Sequence, residues 1–234
     1  MKVIGLLGGM SWESTVPYYQ VINDTVRRRL GGLHSAKIVL YSVDFFEIAE
    51  LQRAGNWDGA GQAMIAAARA LERAGAECLV ICTNTMHKLV PVIEPSISIP
   101  VLHIVDAAAA AVKAQTIQTV GLLGTQFTMA EGFYRDRLRE RHGLTVVIPD
   151  DDARAQIHRI IFDELCVGIV RDESRAAYRR IMADLVARGA QAIVLGCTEQ
   201  AMLVTAGDTP VPLFDTTRLH ALHAAEWALA EPHK

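Results

Sequence analysis

The sequence lacks any long apolar run and any excess of charge of one sign. No apolar stretch among the 234 residues reaches the length of about 18 residues that a membrane-spanning helix needs. The chain carries 23 Lys and Arg against 26 Asp and Glu, a formal net charge of -3, and the two signs are interspersed. We therefore expect neither nucleic acid nor a membrane as a partner.

Cysteines are few and do not form a disulfide framework. Cys78, Cys82, Cys166 and Cys197 lack the spacing of such a framework. The N-terminal stretch "MKVIGLLGGMSWES" turns polar without a small-residue cleavage site, so we interpret it as a first strand and loop rather than a signal peptide. These features predict a cytoplasmic protein with reduced thiols.

Signatures of nucleotide and metal sites are also missing from the sequence. It contains no Walker or dinucleotide-binding glycine loop. His220 and His223 lie in an amphipathic C-terminal stretch without neighbouring metal ligands, so we interpret both as surface residues. We expect neither a metal nor a cofactor.

An internal repeat is present. Three stretches recur in the same order at nearly the same offset, which indicates two homologous halves. The pairs are "IGLLGG" at 4–9 with "VGLLGT" at 120–125, "AGAECLVICTNT" at 74–85 with "RGAQAIVLGCTE" at 188–199, and "IPVLHI" at 99–104 with "VPLFDT" at 211–216. We place the first lobe at residues 1–104 plus 216–234 and the second at 105–215.

Short apolar runs alternate with longer helical patterns such as "AGQAMIAAARALERAG". The predicted strands are Lys2–Leu7, Lys37–Val43, Glu77–Cys82, Val101–Ile104, Thr119–Leu123, Thr145–Ile148, Ala192–Gly196 and Val211–Phe214. Continuous apolar strands separated by helices predict an α/β fold of two pseudo-symmetric Rossmann-like lobes, each a parallel sheet covered by helices. Ligands of such sheets bind beyond the carboxyl ends of the strands, so we expect the active site in a cleft between the lobes.

The repeat also decides which residues are equivalent at the ends of two strands. Aligning 75–76 with 189–190 sets Cys82 against Gly196 and Thr83 against Cys197. Because neighbouring side chains at a strand end point to opposite faces, we expect Thr83 to face the site and Cys82 to lie behind it. Cys82 and Cys78 are then interpreted as small buried hydrophobic residues.

Cys197 lies where a strand ends and a helix is predicted to begin. Unpaired backbone N–H groups and the positive end of the helix dipole lower the pKa of a thiol at such a corner. The same N–H groups can hold a carboxylate. Two such corners facing each other would hold a small dicarboxylate and place one acid or base on each face of its α-carbon.

Four motifs carry a family resemblance across both lobes: "GLLGGMSWEST" at the N-terminus, "TNTMHK" at 83–88, "GLLGT" at 121–125 and "GCTE" at 196–199. The chain resembles the aspartate/glutamate racemase superfamily, which uses no pyridoxal phosphate, and in particular its aspartate racemase and broad-range amino-acid racemase branch. The resemblance implies a homodimer that acts on a small amino acid. In that family two cysteines serve as acid and base, and the first motif usually reads "CNT" where this chain has "TNT".

The resemblance and the residues themselves together predict a role for each site residue. Cys197 removes the α-proton of the L-isomer, and Thr83, or a water that it orients, returns a proton to the other face. Hydrogen-bond donors for the carboxylate are expected from Asn84, Thr85 and Thr198. Further expected substrate contacts are Met10, Gln52 and Thr125. Glu199 either orients Cys197 or caps the following helix, and His87, one turn beyond Thr83, either tunes that residue or serves only structure.

Several alternatives stay open. Relatives often hold a lysine at the position of Cys166, so the substrate can be aspartate, glutamate or another amino acid. A decarboxylase or isomerase of the same superfamily could use a single cysteine, and a hydantoin-type racemase is a further possibility. The alternative from another class is a non-catalytic, two-lobed amino-acid-binding protein.

Overall fold

The computed structural model describes residues 1–230 and divides them into two compact units. The first unit contains residues 1–103 and 220–230, and the second contains residues 104–219. The second boundary therefore lies inside the last helix, Thr216–Leu229, and not in front of it. Within the described residues, no helix is both long and apolar enough to cross a membrane.

The described residues 1–230 form seven strands and eleven α-helices. The strands are β1 Ile4–Gly8, β2 Ile38–Ser42, β3 Cys78–Ile81, β4 Thr119–Gly124, β5 Thr145–Val147, β6 Ala192–Gly196 and β7 Leu213–Asp215. The helices are α1 Trp12–Leu30, α2 Phe45–Arg53, α3 Trp57–Arg73, α4 Val90–Ile93, α5 Ile104–Ala114, α6 Gln126–Ala130, α7 Gly132–Asp136, α8 Asp151–Asp163, α9 Asp172–Ala187, α10 Gln200–Leu203 and α11 Thr216–Leu229. Shorter helical turns lie at Thr85–Leu89, Glu94–Ser96, Arg137–Arg141, Leu165–Val167 and Ala206–Asp208.

The first unit is built on a three-stranded parallel sheet in the order β2-β1-β3. Both faces of the sheet are covered, which explains why its central strands are apolar at consecutive positions. Tyr18 of α1 and Ala224 of α11 belong to the apolar cluster on one face, and Met64 of α3 belongs to the cluster on the other. The predicted strand Val101–Ile104 is wrong in extent, because only Val101 pairs with the sheet, through a bridge to Leu79, and α5 begins at Ile104.

The second unit is built on a four-stranded parallel sheet in the order β5-β4-β6-β7. Helices α8 and α9 contribute Ile161 and Leu185 to the apolar cluster on one face. Helix α5 contributes Val112 to the cluster on the other face. The predicted fold class, two α/β units with parallel sheets covered by helices, is confirmed.

Pairing within the two sheets agrees with the repeat found in the sequence. Leu7 pairs with Ile81 in the first sheet, and their repeat equivalents Leu123 and Leu195 pair in the second. Thr83 and Cys197 each follow the third strand of their unit two residues beyond the matched pair. The two residues therefore occupy equivalent positions in their respective sheets.

Candidate active site

All the predicted site residues except Gln52, which lies on α2, follow the carboxyl ends of parallel strands in the two units. In the first unit, Met10 follows β1, and the segment 83–85 follows β3. In the second unit, Thr125 follows β4, and the segment 197–199 follows β6. Such strand ends are where α/β sheets bind their ligands.

The segment around Thr83 places the hydroxyl-bearing residue at the strand end and the thiols behind it. Thr83 is 9% exposed, whereas Cys82 and Cys78 are fully buried in the apolar cluster that α1 and α11 cover. Burial raises the pKa of the Cys82 thiol far above its usual range and raises the pKa of Cys78 to about 12. Neither thiol is a base at neutral pH, in agreement with their interpretation as buried hydrophobic residues.

Two predicted substrate contacts of the first unit lie beside Met86. Gln52 is buried, and its amide Nε2 lies 3.0 Å from the sulfur of Met86. Met10 is also buried and belongs to the same apolar cluster as Met86 and Ile48. Met10 therefore serves the core of its unit, and its contact with a substrate stays a prediction.

Cys197 contacts a carboxylate directly. Its Sγ donates to Oε2 of Glu199 at 2.9 Å, and the hydroxyl of Thr198 donates to the same oxygen at 2.8 Å. The backbone N–H of Cys197 donates to Oε1 of Gln200 at 3.1 Å, and the amide of Gln200 donates in turn to the hydroxyl of Tyr178. Of the two interpretations of Glu199, these contacts favour the one in which it orients Cys197, because its carboxylate accepts from the thiol and makes no capping hydrogen bond to α10.

The expectation of a lowered thiol pKa at Cys197 is wrong for the free protein. Burial, first of all, and then the neighbouring Glu199 carboxylate raise the pKa of Cys197 well above its usual value. Helix α10 has only four residues, and the Cys197 N–H is occupied by the Gln200 side chain. The thiol is therefore protonated at neutral pH, with a proton acceptor in contact.

The remaining predicted substrate contact of the second unit, Thr125, is also buried. Thr125 caps α6, since its Oγ1 accepts from the backbone N–H of Thr128 at 3.3 Å. Cys166 is partly exposed and packs against the apolar cluster that contains Cys197. A negative charge on Cys166 would raise the pKa of Cys197 further.

The sequence did not predict a buried group of aromatic and histidine side chains in the first unit. His220, expected at the surface, is fully buried. Its neighbours Tyr18 and His87, and His103 beside His87, are at most 6% exposed. A signal was present in the sequence, because His220 shares one helical face with Ala224 and Ala228, which pack on the sheet. Among the residues that the structure describes, no group of three or more His, Cys, Asp or Glu side chains could hold a metal ion.

Comparison with known proteins decides the family. A model of the family described as Asp/Glu/Hydantoin racemase matches residues 7–224. The chain belongs to this family. The family predicted from the four motifs is confirmed, and with it the predicted enzyme class, because the named relatives below include racemases, which are isomerases.

Similar proteins cover nearly the whole chain. A crystal structure of a candidate Asp/Glu racemase from Yersinia pestis is 56% identical, with a TM-score of 0.91, and the match covers 98% of this chain and 100% of that one. The aspartate racemase homologue PH1733 from Pyrococcus horikoshii OT3 is 34% identical, with a TM-score of 0.83 over 98% and 100% of the two chains. The broad specificity amino-acid racemase RacX of Bacillus subtilis (strain 168) is 23% identical over 92% of this chain and 93% of its own.

Proposed function

We propose that this member of the family is a cofactor-independent racemase of aspartate and/or glutamate, with Cys197 as the strong base for the L-isomer and Thr83 as its weaker partner. The observation that carries the proposal is the contact of 2.9 Å between the Cys197 thiol and the Glu199 carboxylate at the end of β6. The equivalent position at the end of β3 holds a hydroxyl in place of a thiol. The names of the Yersinia and Pyrococcus relatives support aspartate and glutamate as the first substrates to test.

The reaction begins with a proton transfer within the second unit. Because burial keeps the thiol of Cys197 protonated, that proton must leave before the sulfur can act as a base. The carboxylate of Glu199 is in contact and accepts it. The thiolate then takes the α-proton of the L-amino acid, so that a C–H bond breaks, an S–H bond forms, and the electron pair passes to the α-carboxylate as an enediolate.

The enediolate needs hydrogen-bond donors because no cofactor takes up the charge. The proposed donors are the N–H groups of Asn84, Thr85 and Thr198 and the side chains of Asn84 and Thr85, since the Thr198 hydroxyl donates to Glu199. All three residues are buried, where such bonds are strong. A well-placed donor of this kind contributes about 3 kcal/mol to the transition state. Loss of one donor is therefore expected to lower the rate more than the binding.

Thr83 completes the inversion by proton donation from the opposite face. Its hydroxyl, or a water that it orients, gives a proton to the α-carbon and regains one from solvent. A hydroxyl is a weaker acid than a thiol and a poor base unless it is activated, so this half of the reaction is slow. Since the two enantiomers are equally stable, kcat/KM must be the same in both directions, and Thr83 slows both alike.

The test follows both halves of the reaction in one sample. L-aspartate and, separately, L-glutamate are incubated with the protein in D₂O, with loss of the α-proton read by NMR and inversion read by circular dichroism. We expect the α-proton to be lost faster than the configuration inverts, and both signals to fall at least about 100-fold in Cys197→Ala. Absence of both signals for these acids and for a panel of other amino acids would contradict the proposal.

A second candidate function would use the same thiol for a different reaction. The strand ends named above hold one thiol, Cys197, and not two, which favours a decarboxylase or isomerase that needs a single cysteine. The NMR spectra of the same samples distinguish this reaction, because its product has a different carbon skeleton or functional group. A ligand that binds without any of these changes would instead indicate a non-catalytic binding protein.

We further propose that the enzyme is a cytoplasmic homodimer, as the family resemblance implies. Light scattering after gel filtration tests the assembly directly, because the chain mass is 25.6 kDa. A particle of twice that mass is the expected result. A particle of the single-chain mass would contradict the proposed dimer without affecting the proposed reaction.

A further inference from the structure

The buried histidines of the first unit form one group around His87. The ring centroid of His87 lies 4.5 Å from that of His103 and 5.7 Å from that of His220. All three side chains are at most 6% exposed. Packing on two sides therefore restricts the orientation of the His87 ring.

The orientation of His220 is fixed by two hydrogen bonds. Its Nε2 lies 2.6 Å from the carbonyl oxygen of Leu102, and since a carbonyl only accepts, Nε2 carries a proton. The hydroxyl of Tyr18 lies 2.9 Å from Nδ1 and donates to it in the neutral ring. The His220 ring, which packs against His87, is therefore held in a fixed orientation.

His87 itself binds the backbone of Thr83. Its Nδ1 lies 2.8 Å from the carbonyl oxygen of Thr83, so the same argument assigns a proton to Nδ1. In an α-helix this carbonyl would accept from the backbone N–H of His87, four residues on. Here that N–H donates to Asn84 at 3.1 Å in a tighter turn, and the imidazole ring takes its place on Thr83.

The hydrogen bond from His87 to the Thr83 carbonyl restrains a whole peptide group. The carbonyl of Thr83 and the N–H of Asn84 belong to one planar trans peptide group and point in opposite directions. A restraint on the carbonyl therefore sets the direction of the Asn84 N–H as well as the position of Thr83. Both belong to the proposed catalytic segment.

We propose that His87 is a positioning residue for the Thr83 half of the reaction: through its Nδ1–H it holds the peptide group that carries both the proton-donating residue and a carboxylate donor. The inference rests on the proposed racemase function. Cys197 and Glu199 lie in the other unit and do not depend on this bond. Loss of the bond should therefore slow inversion, which needs both Thr83 and the Asn84 donor, more than loss of the α-proton, which needs only the donor.

The experiment compares two replacements of similar size. His87→Leu removes the donor, whereas His87→Asn places an amide N–H at the position of Nδ1. Tyr18→Phe is the control, since it removes a buried hydroxyl from the far side of the group and leaves the His87 bond intact. Each variant is tested with L-aspartate in D₂O by NMR and circular dichroism, and its thermal midpoint is measured.

We expect His87→Leu to slow inversion on the order of tenfold and loss of the α-proton by less, so that the ratio of α-proton loss to inversion rises, and His87→Asn to restore most of the inversion rate. Tyr18→Phe should lower the thermal midpoint and leave the ratio of the two rates unchanged. If His87→Leu does not fold, His87→Gln replaces it in the comparison with His87→Asn. The amide of glutamine reaches the position of Nε2 and not that of Nδ1, so it does not restore the bond to Thr83. Equal slowing of both signals in the donor-free variant, or no recovery in His87→Asn, would overturn the positioning role. If the unaltered chain shows neither signal, the racemase proposal itself fails, and the inference falls with it.

Discussion

The thiol of Cys197 and the carboxylate of Glu199 are in hydrogen-bond contact, with 2.9 Å between Sγ and Oε2. The contact has two opposing effects. Burial, first of all, and then the charge of Glu199 raise the pKa of Cys197 and so keep the free thiol protonated. In the proposed reaction, the same carboxylate accepts that proton when the sulfur acts as a base. In the proposed mechanism, Glu199 thus adds to the effect of burial in disfavouring the thiolate at rest and enables its formation during the reaction.

Replacement of Glu199 by glutamine should separate these effects. In Glu199→Gln the pKa of Cys197 falls, because the charge and the hydrogen bond that raised it are gone, so alkylation by iodoacetamide should begin at lower pH. Turnover should nevertheless fall about 100-fold, because the proton acceptor is missing. The matched control is Glu173→Gln, an exposed glutamate on α9, which should change neither property. A gain or no change in turnover in Glu199→Gln would contradict this role.

The pH dependence of the unaltered enzyme follows from the same shift. A raised thiol pKa means that the thiolate becomes more abundant as pH rises, so kcat/KM for L-aspartate should increase from neutral to alkaline pH. In Glu199→Gln the rise should occur at lower pH. Initial rates measured by circular dichroism across the pH range provide the test, and a profile that falls with rising pH near neutrality would disagree with a protonated resting thiol.

The four thiols should differ in their reaction with a small alkylating reagent in the native protein. Cys166 is partly exposed and should react first, and Cys197 should react slowly because its pKa is raised. Cys78 and Cys82 should react only after unfolding, because burial both covers them and raises their pKa values. Mass spectrometry of timed samples, followed by peptide mapping, identifies the order. Modification of Cys82 as early as Cys166 would contradict the burial of Cys82 in the first unit.

The glycine before Cys197 should be intolerant of any side chain. A Cβ placed on Gly196 would lie 2.8 Å from the carbonyl oxygen of Leu123 on the neighbouring strand. Gly196→Ala should therefore reduce the free energy of unfolding by about 1–3 kcal/mol, as overpacking does, and should lower turnover by displacing Cys197. Gly207→Ala is a suitable control, since its added Cβ would meet only a hydroxyl at 3.9 Å. Equal denaturation midpoints for the two variants would contradict the packing argument.

Most of the fold could be predicted from the sequence because its strands are short, continuous apolar runs between helices. β6 was predicted with its exact bounds, Ala192–Gly196, since "AIVLG" is apolar throughout and flanked by glycine and polar residues. The stretch from Val101 failed because a proline precedes it and α5 begins at Ile104, which leaves room for only one bridge to Leu79. Whether such a run forms a strand or a bridge is decided by the neighbouring strand and not by local pattern.

The candidate site could be predicted in its residue equivalences but not in its electrostatics. The equivalence of Thr83 and Cys197 depends on register, which the repeat preserves and the strand pairing matches. The pKa of Cys197 depends on burial and on where one carboxylate points, and neither is encoded in the motif "GCTE". His220 was misplaced for a similar reason, because its partners Tyr18 and Leu102 are distant in sequence.

The central claim is that Cys197 is a strong base and Thr83 its weak partner. The most direct test is the ratio of the rate of α-proton loss to the rate of inversion in D₂O. This ratio is measured for the unaltered enzyme, Thr83→Cys and Thr83→Val. A thiol at position 83 is a better proton donor than a hydroxyl, so Thr83→Cys should raise the inversion rate and lower the ratio on the order of tenfold. Thr83→Val keeps the shape but has no proton to give, so inversion should fall about 100-fold while α-proton loss from the L-isomer continues. If Thr83→Val inverts L-aspartate as fast as the unaltered enzyme, Thr83 is not the partner of Cys197 and the account is wrong.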